Sequence, residues 1–239
     1  MPIRDIRDVE AMAGLDAFAR AKVTTSERIA NAFIGLVFVT EGAQDLERRL
    51  ATVGPDADAA LQGNTPASHA LERLADGALR KGFLGARRGL PLHWPLEFPE
   101  VFLRPNPGFD AFIGNPPFLG NRLWKGAFGP ALSRIVELVL AVAPGRIDLS
   151  VAFHRRAAAL IRIGGAYGLL ARDSIAESSA VPVGLGRIAA LGDFYFTRKG
   201  MPWPGAASTV FAIVCFWRGG WAGKRDCDGM ACERIGPRL

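Results

Sequence analysis

Between residues 109 and 217, short apolar runs of strand type alternate with segments of helical periodicity, and this alternation restricts the fold more than any other feature. The order reads strand (109–114), helix (131–142), helix (148–163), strand (166–171), loop plus helix (174–191), then strands at 193–196 and 208–217. Strands separated by helices argue for a doubly wound α/β sheet. The last two strands have no helix between them, which predicts a terminal β-hairpin. The 109–114 run reads as a short buried strand, and the nearly unbroken apolar run of 208–217 as a buried interior strand. In the 148–163 segment Asp148 is placed to cap a helix, Leu149, Ala152, Phe153, Ala157 and Leu160 line one face, and Gly164-Gly165 ends it.

The first 80 residues read as mostly helical. Ile3, Ile6 and Val9 recur at helical spacing, Ser26-Glu27-Arg28-Ile29 opens a second segment, and Asp45 begins a third. Gly54-Pro55 and Gly63-Asn64-Thr65-Pro66 break the pattern, and residues 69–79 read as another short helix. Gly82, Gly85 and Gly89 surround Arg87 and Arg88. A phosphate-cradling loop needs a strand before it, and none is present, so a flexible connector is expected there. Pro91, Pro95 and Pro99 space the next stretch, which predicts an extended segment whose aromatics pack on a core.

Composition narrows the function classes. Cys215, Cys227 and Cys232 do not make a disulfide framework, and no His or Cys pair completes a zinc site, so no metal and a reducing cytoplasm are expected. The charged start carries no signal-peptide core, and the longest apolar run, 29–39, is too short to span a bilayer. The net charge of +6 suits a polyanion such as DNA or RNA, although a solvated Arg-rich surface would give the same number. His69, His93 and His154 are scattered, and none is assigned a catalytic role; His154 is expected at the surface or in packing.

The strand at 109–114 ends in Asn115-Pro116-Pro117-Phe118. In α/β sheets ligands bind beyond the carboxyl ends of strands. The Asn115 side-chain oxygen and the Pro116 carbonyl are two acceptors for one NH₂ group. Pro116 and Pro117 have fixed φ and no N–H, so the turn is stiff and cannot satisfy its own acceptors. Phe118 supplies a face on which a flat base can stack. A base reaches such a pocket only when it leaves the duplex. The plain alternative is a proline-rich turn whose Phe packs in the core.

This tetrapeptide resembles motif IV of the S-adenosylmethionine-dependent amino-methyltransferases. Together with residues 92–102, Asp148-Leu149 and Phe153, Gly164-Gly165-Ala166-Tyr167-Gly168, and Pro202-Trp203-Pro204-Gly205, it is similar to the large adenine-specific DNA methyltransferases of type IIG and of BREX- and DISARM-type defence systems. The resemblance covers roughly residues 90–222 and implies a Rossmann-like sheet, S-adenosylmethionine as methyl donor and double-stranded DNA with a flipped adenine as partner. It implies that Asn115 and Pro116 bind the N6 amine, Pro117 stiffens the turn, and Phe118 stacks on the base. Asp148 is a candidate for shaping the donor pocket, and a helix N-cap explains it equally well. Arg198 to Gly205 resembles the loop before the last hairpin.

The donor-binding side of that family, a strand followed by a Gly-rich loop, has no counterpart in residues 1–108. The expected organisation is therefore a helical accessory region (1–90), the C-terminal half of a methyltransferase domain (91–222), and the start of a connection to a recognition domain (223–239). A complementing subunit would supply the donor half. The alternatives are methylation of a protein glutamine or an RNA amino group, or a non-catalytic DNA-binding remnant.

Overall fold

The computed structural model describes residues 5–40, 42–82, 91–120, 123, 126, 133, 135–136, 147–177, 179–204 and 209–239. It divides into two units, one ending at Phe98 and the other starting at Pro99. Among the described residues, no helix is long and apolar enough to cross a membrane.

The first unit is helical. Asp5 caps α1 (Ile6–Val39): its carboxylate accepts the Arg7 and Asp8 N–H groups, and Asp8 reaches back to the Asp5 N–H. The helix runs straight through Ser26, where a second segment was expected, because residues 24–26 carry no Gly or Pro to stop it. Gly35 brings α1 against α3 (Thr65–Gly82); a Cβ there would lie 2.9 Å from the Ala78 Cβ. Ala32, Leu36 and Leu71 are buried in this helical core. Between them in sequence, α2 (Ala43–Leu61) contains Pro55 rather than ending at it. The missing N–H leaves the Ala51 carbonyl without its helical donor, and both residues are exposed, so that group can face water. Of the break expected at 63–66 only Gly63-Asn64 stays outside a helix: the Asn64 side chain accepts the Ala67 N–H at 3.0 Å, and α3 starts at Thr65 rather than at residue 69, with Pro66 in its first turn.

The proline-spaced stretch is not extended. It forms two single-turn helices, α4 (Trp94–Glu97) and α5 (Pro99–Phe102), the first in the helical unit and the second in the other. Pro95 and Pro99 occupy first-turn positions, where a missing N–H costs nothing.

The second unit is built on a mixed sheet of six strands in the order β1-β2-β4-β3-β5-β6. They are β1 (Phe109–Gly114), β2 (Ile161–Arg172), β3 (Gly192–Pro202), β4 (Val210–Arg218), β5 (Arg225–Cys227) and β6 (Met230–Cys232). Strands β1 and β2 are parallel, and β4 runs antiparallel to both β2 and β3. The crossover between β1 and β2 carries α6 (Ser150–Leu160), and the connection from β2 to β3 carries a 3-10 turn (Asp173–Ala176) and α7 (Leu185–Ile188). The α/β class, the helical start and the antiparallel β3/β4 pair are those read from the sequence.

Several boundaries shift. The helix expected to run to residue 163 ends at Leu160, and Gly164-Gly165 lies inside β2. At Gly165 a Cβ would meet the Asp110 and Phe109 carbonyls at 3.0 Å, so the glycine there serves close strand approach. Phe153 faces outward at 45% exposure, while Val151 and His154 fill the buried face in its place. Strand β1 is not a buried strand: it is the sheet's edge, and Ile113 is 91% exposed. Residues 198–202, expected in a loop, belong to β3. Residues 225–232 add the β5/β6 hairpin to the sheet through β3, and Ile235 joins its core. The expected 131–142 helix is described only at Ser133, Ile135 and Val136, which are helical; its remainder, the 83–90 glycine segment and Gly205 lie outside the described residues.

The core under one face gathers Tyr167, Phe194, Phe216, Val151, Ile175 and Leu185. His154 sits within it, fully buried, with ring nitrogens 3.3 Å from the Tyr167 hydroxyl and the Leu170 carbonyl. The carbonyl can only accept, so Nε2 carries the hydrogen and Nδ1 accepts from Tyr167. Burial lowers the imidazole from 6.5 to about 4, which keeps it neutral.

Candidate functional site

The parallel register places Gly114 opposite Leu169, so the chain leaves β1 at the same end at which β2 runs on to Arg172. Asn115, Pro116, Pro117 and Phe118 follow directly and form no regular structure. Pro116 is buried, which anchors the turn, while Asn115 and Pro117 are exposed. The Asn115 amide makes no hydrogen bond among the described residues, so its donors and acceptor are open to a ligand.

Beyond Phe118 the chain is clamped to the start of α6. The Leu149 N–H donates to the Leu119 carbonyl at 2.9 Å, and Gly120 bridges to Asp148. Asp148 is not the N-cap of α6, a position that Leu149 holds without a side-chain bond; it stands one residue earlier and forms an Asx-type turn in which Oδ1 accepts the Ser150 N–H at 2.9 Å. Its second oxygen, Oδ2, and the Ser150 hydroxyl are both buried and have no hydrogen-bond partner among the described residues. Buried polar atoms are nearly always bonded, so these two mark a spot able to take a polar group or a water.

The antiparallel neighbours bring aromatics to this end. Arg172 stands opposite Phe211, and Met201 opposite Phe211 on the other side. Just past β3, Trp203 donates its N–H to the Thr209 carbonyl at 3.0 Å, which holds it over the start of β4. Its ring meets Phe211 edge-on at 5.5 Å and Phe118 at 6.4 Å. At the end of β2, the Asp173 carboxylate accepts the Gly200 N–H through both oxygens at 3.1 Å. That bond falls where Gly200 takes a φ of +63°, and it fixes the bend of β3 toward Trp203.

The structure thus brings Phe118 and Trp203 together, holds Asp148 beside the same turn through Gly120, and leaves the Asn115 amide exposed. Sequence reasoning left Trp203 without a role. The available signal was its position between two prolines, which keep a residue out of a helix interior or a central strand and leave its ring for a turn.

A second concavity lies in the helical unit, a hollow of about 440 Å³ lined by Ile29, Phe33, Leu61, His93, Pro95 and Leu96. Its one titratable wall group, His93, donates to the Asn31 side chain at 2.9 Å, and burial lowers its pKa. The lining is apolar with no converging donors or acceptors, so chemistry is better placed at the end of β1. Among the described residues no cluster of His, Cys, Asp and Glu could hold a metal ion.

No family model matches the chain, and no curated protein matches it. A solved structure described as the type IIL restriction-modification enzyme MmeI in complex with DNA aligns with 54% of this chain at 20% identity and a TM-score of 0.43. The alignment spans 19% of that enzyme's chain.

Proposed function

We propose that the second unit is the acceptor-base half of an S-adenosylmethionine-dependent DNA adenine-N6 methyltransferase of a restriction-modification or phage-defence system, acting in the cytoplasm. One observation carries the reading: the Asn115-Pro116-Pro117-Phe118 turn leaves the carboxyl end of a parallel strand with its amide exposed and its Phe118 ring against Trp203. Asn115 Oδ1 and the Pro116 carbonyl offer acceptors for the two N–H bonds of one exocyclic amine. Accepting both draws the nitrogen toward tetrahedral geometry and frees its lone pair for a methyl group. The new N–C bond forms as the donor's S–C bond breaks, and one amine proton passes to solvent. Positioning would supply most of the acceleration.

The donor brings a methyl group on a sulfonium, together with hydroxyl and ammonium hydrogens. Asp148 Oδ2 and Ser150 Oγ, buried and unpartnered, are the residues suited to receive such hydrogens. Residues 1–108 carry no apolar strand followed by a Gly-x-Gly loop to cradle the rest. A complementing polypeptide would fill that role by pairing along β1, whose outer edge has no neighbouring strand among the described residues and whose Ile113 is exposed.

The test is transfer of labelled methyl from S-adenosylmethionine to unmethylated DNA by the chain, alone and with the polypeptide encoded next to it upstream. N6-methyladenine in the digested DNA, lost in Asn115→Ala, is the expected result. Label appearing in protein glutamine or RNA instead would sink the DNA reading. Micromolar donor binding by the chain alone, measured by titration calorimetry, would refute the need for a second polypeptide.

A further inference from the structure

Several arginines of the second unit are already engaged. Arg104 and Arg162 both pair with Asp110, Arg198 with Asp226, and Arg225 with Asp193, while Arg218 donates to the Ile161 carbonyl. Arg172 differs. It is the last residue of β2, it is exposed, and among the described residues no carboxylate or carbonyl holds its guanidinium. The adjacent carboxylate, Asp173, is committed to the Gly200 N–H.

The position of Arg172 gives this free charge a direction. Directly opposed residues in an antiparallel ladder share a face, so Arg172 projects on the same side of the sheet as Phe211. Phe211 touches Trp203, and Trp203 touches Phe118. Along the strand, Arg172 lies three residues beyond Leu169, the register partner of Gly114, about 10 Å further toward the same end. A cation, a row of rings and the Asn115 amide therefore lie at one end of the sheet.

We infer that Arg172 binds a phosphodiester of the DNA strand whose base enters the Asn115–Phe118 turn. The inference rests on the DNA reading above. A base stacked at Phe118 carries a phosphate on each side, and a guanidinium can grip one through two parallel N–H···O bonds. Rings that hold a base together with a cation that holds the backbone form the usual combination for an unpaired strand. Arg172 would thus fix the register of the strand, with sequence read elsewhere.

The test uses the full chain and a fluorescent duplex with one adenine opposite an abasic position, titrated by anisotropy over a range of salt. Each neutralised phosphate contributes about 0.9 to the slope of log affinity against log salt on duplex DNA. Arg172→Gln is expected to lower the slope by about one such step and weaken binding several-fold at low salt. Arg172→Lys should restore the slope, since it keeps the charge, which a purely structural role would not predict. Arg187→Gln, an equally exposed arginine in α7, should leave the slope unchanged. An Arg172→Gln slope equal to that of the unaltered chain overturns the inference while leaving the DNA reading intact. Absence of salt-dependent DNA binding by the unaltered chain overturns the DNA reading and this inference with it.

Discussion

The rings of Phe118 and Trp203 meet edge to face, with centroids 6.4 Å apart and planes at 85°. Two rings at right angles form a corner into which a flat base can stack on one and abut the other. Trp203→Ala is therefore expected to weaken binding of DNA with an unpaired adenine by about 1–3 kcal/mol, or about 5- to 150-fold, read by fluorescence anisotropy. Unchanged affinity would show that Trp203 only packs on Phe211.

His154 links stability to pH. Its folded value is about 4 and its ordinary value 6.5, so between those limits the unfolded chain takes up a proton that the folded chain refuses. Stability is then complete above pH 6.5 and falls as the pH drops toward 4, by up to about 3 kcal/mol. The carboxylates of Asp110, Asp193 and Asp226 are lowered by their arginine or backbone partners, so their losses come at still lower pH. Urea midpoints measured from pH 7 to 4 should decline, and His154→Leu, less stable at pH 7, should flatten that decline. A wild-type midpoint constant over this range would contradict a buried neutral imidazole.

Gly108 has a φ of +115°, and a Cβ there would lie 2.6 Å from the Arg162 nitrogen and 2.7 Å from the Leu160 carbonyl. Both contacts are to backbone, which cannot step aside without shifting the start of β2. Gly108→Ala should cost about 2–4 kcal/mol, visible as a clear fall in the melting temperature. A melting curve that overlays the wild type would show that this entry to β1 is looser than drawn.

Pro55 occupies an exposed interior position of α2. Alanine there restores the N–H that the Ala51 carbonyl lacks and is about 3 kcal/mol more favourable in a helix interior. Part of that gain is offset because the unfolded chain becomes more flexible. Pro55→Ala should raise the melting temperature of the helical unit, followed by far-UV circular dichroism. A lowered value would mean that α2 depends on a bend at this residue.

Features governed by near neighbours were legible in the sequence. The strand at 109–114, the interruption at Gly63-Asn64 and the antiparallel β3/β4 pair depend on alternation, turn-forming residues or the lack of a helix-length connection. Rules applied without their positional exceptions misled. Pro55, Pro95 and Pro99 were read as helix breakers, yet a first turn or a solvent-facing carbonyl tolerates them. Gly164-Gly165 looked like a helix stop because a glycine required by close strand contact has the same local signature as one that ends a helix.

By itself the sequence determined that an apolar strand would run into Asn115-Pro116-Pro117-Phe118, because φ restriction and missing N–H groups act within the residues concerned. Only the tertiary structure decided that β1 is an exposed edge, that His154 is buried against Tyr167, and that Trp203 and Arg172 arrive at the end of the sheet where Phe118 waits. Those outcomes depend on strand order and register, which bring together residues far apart in the chain and are set by the packing of the whole sheet rather than by any local preference.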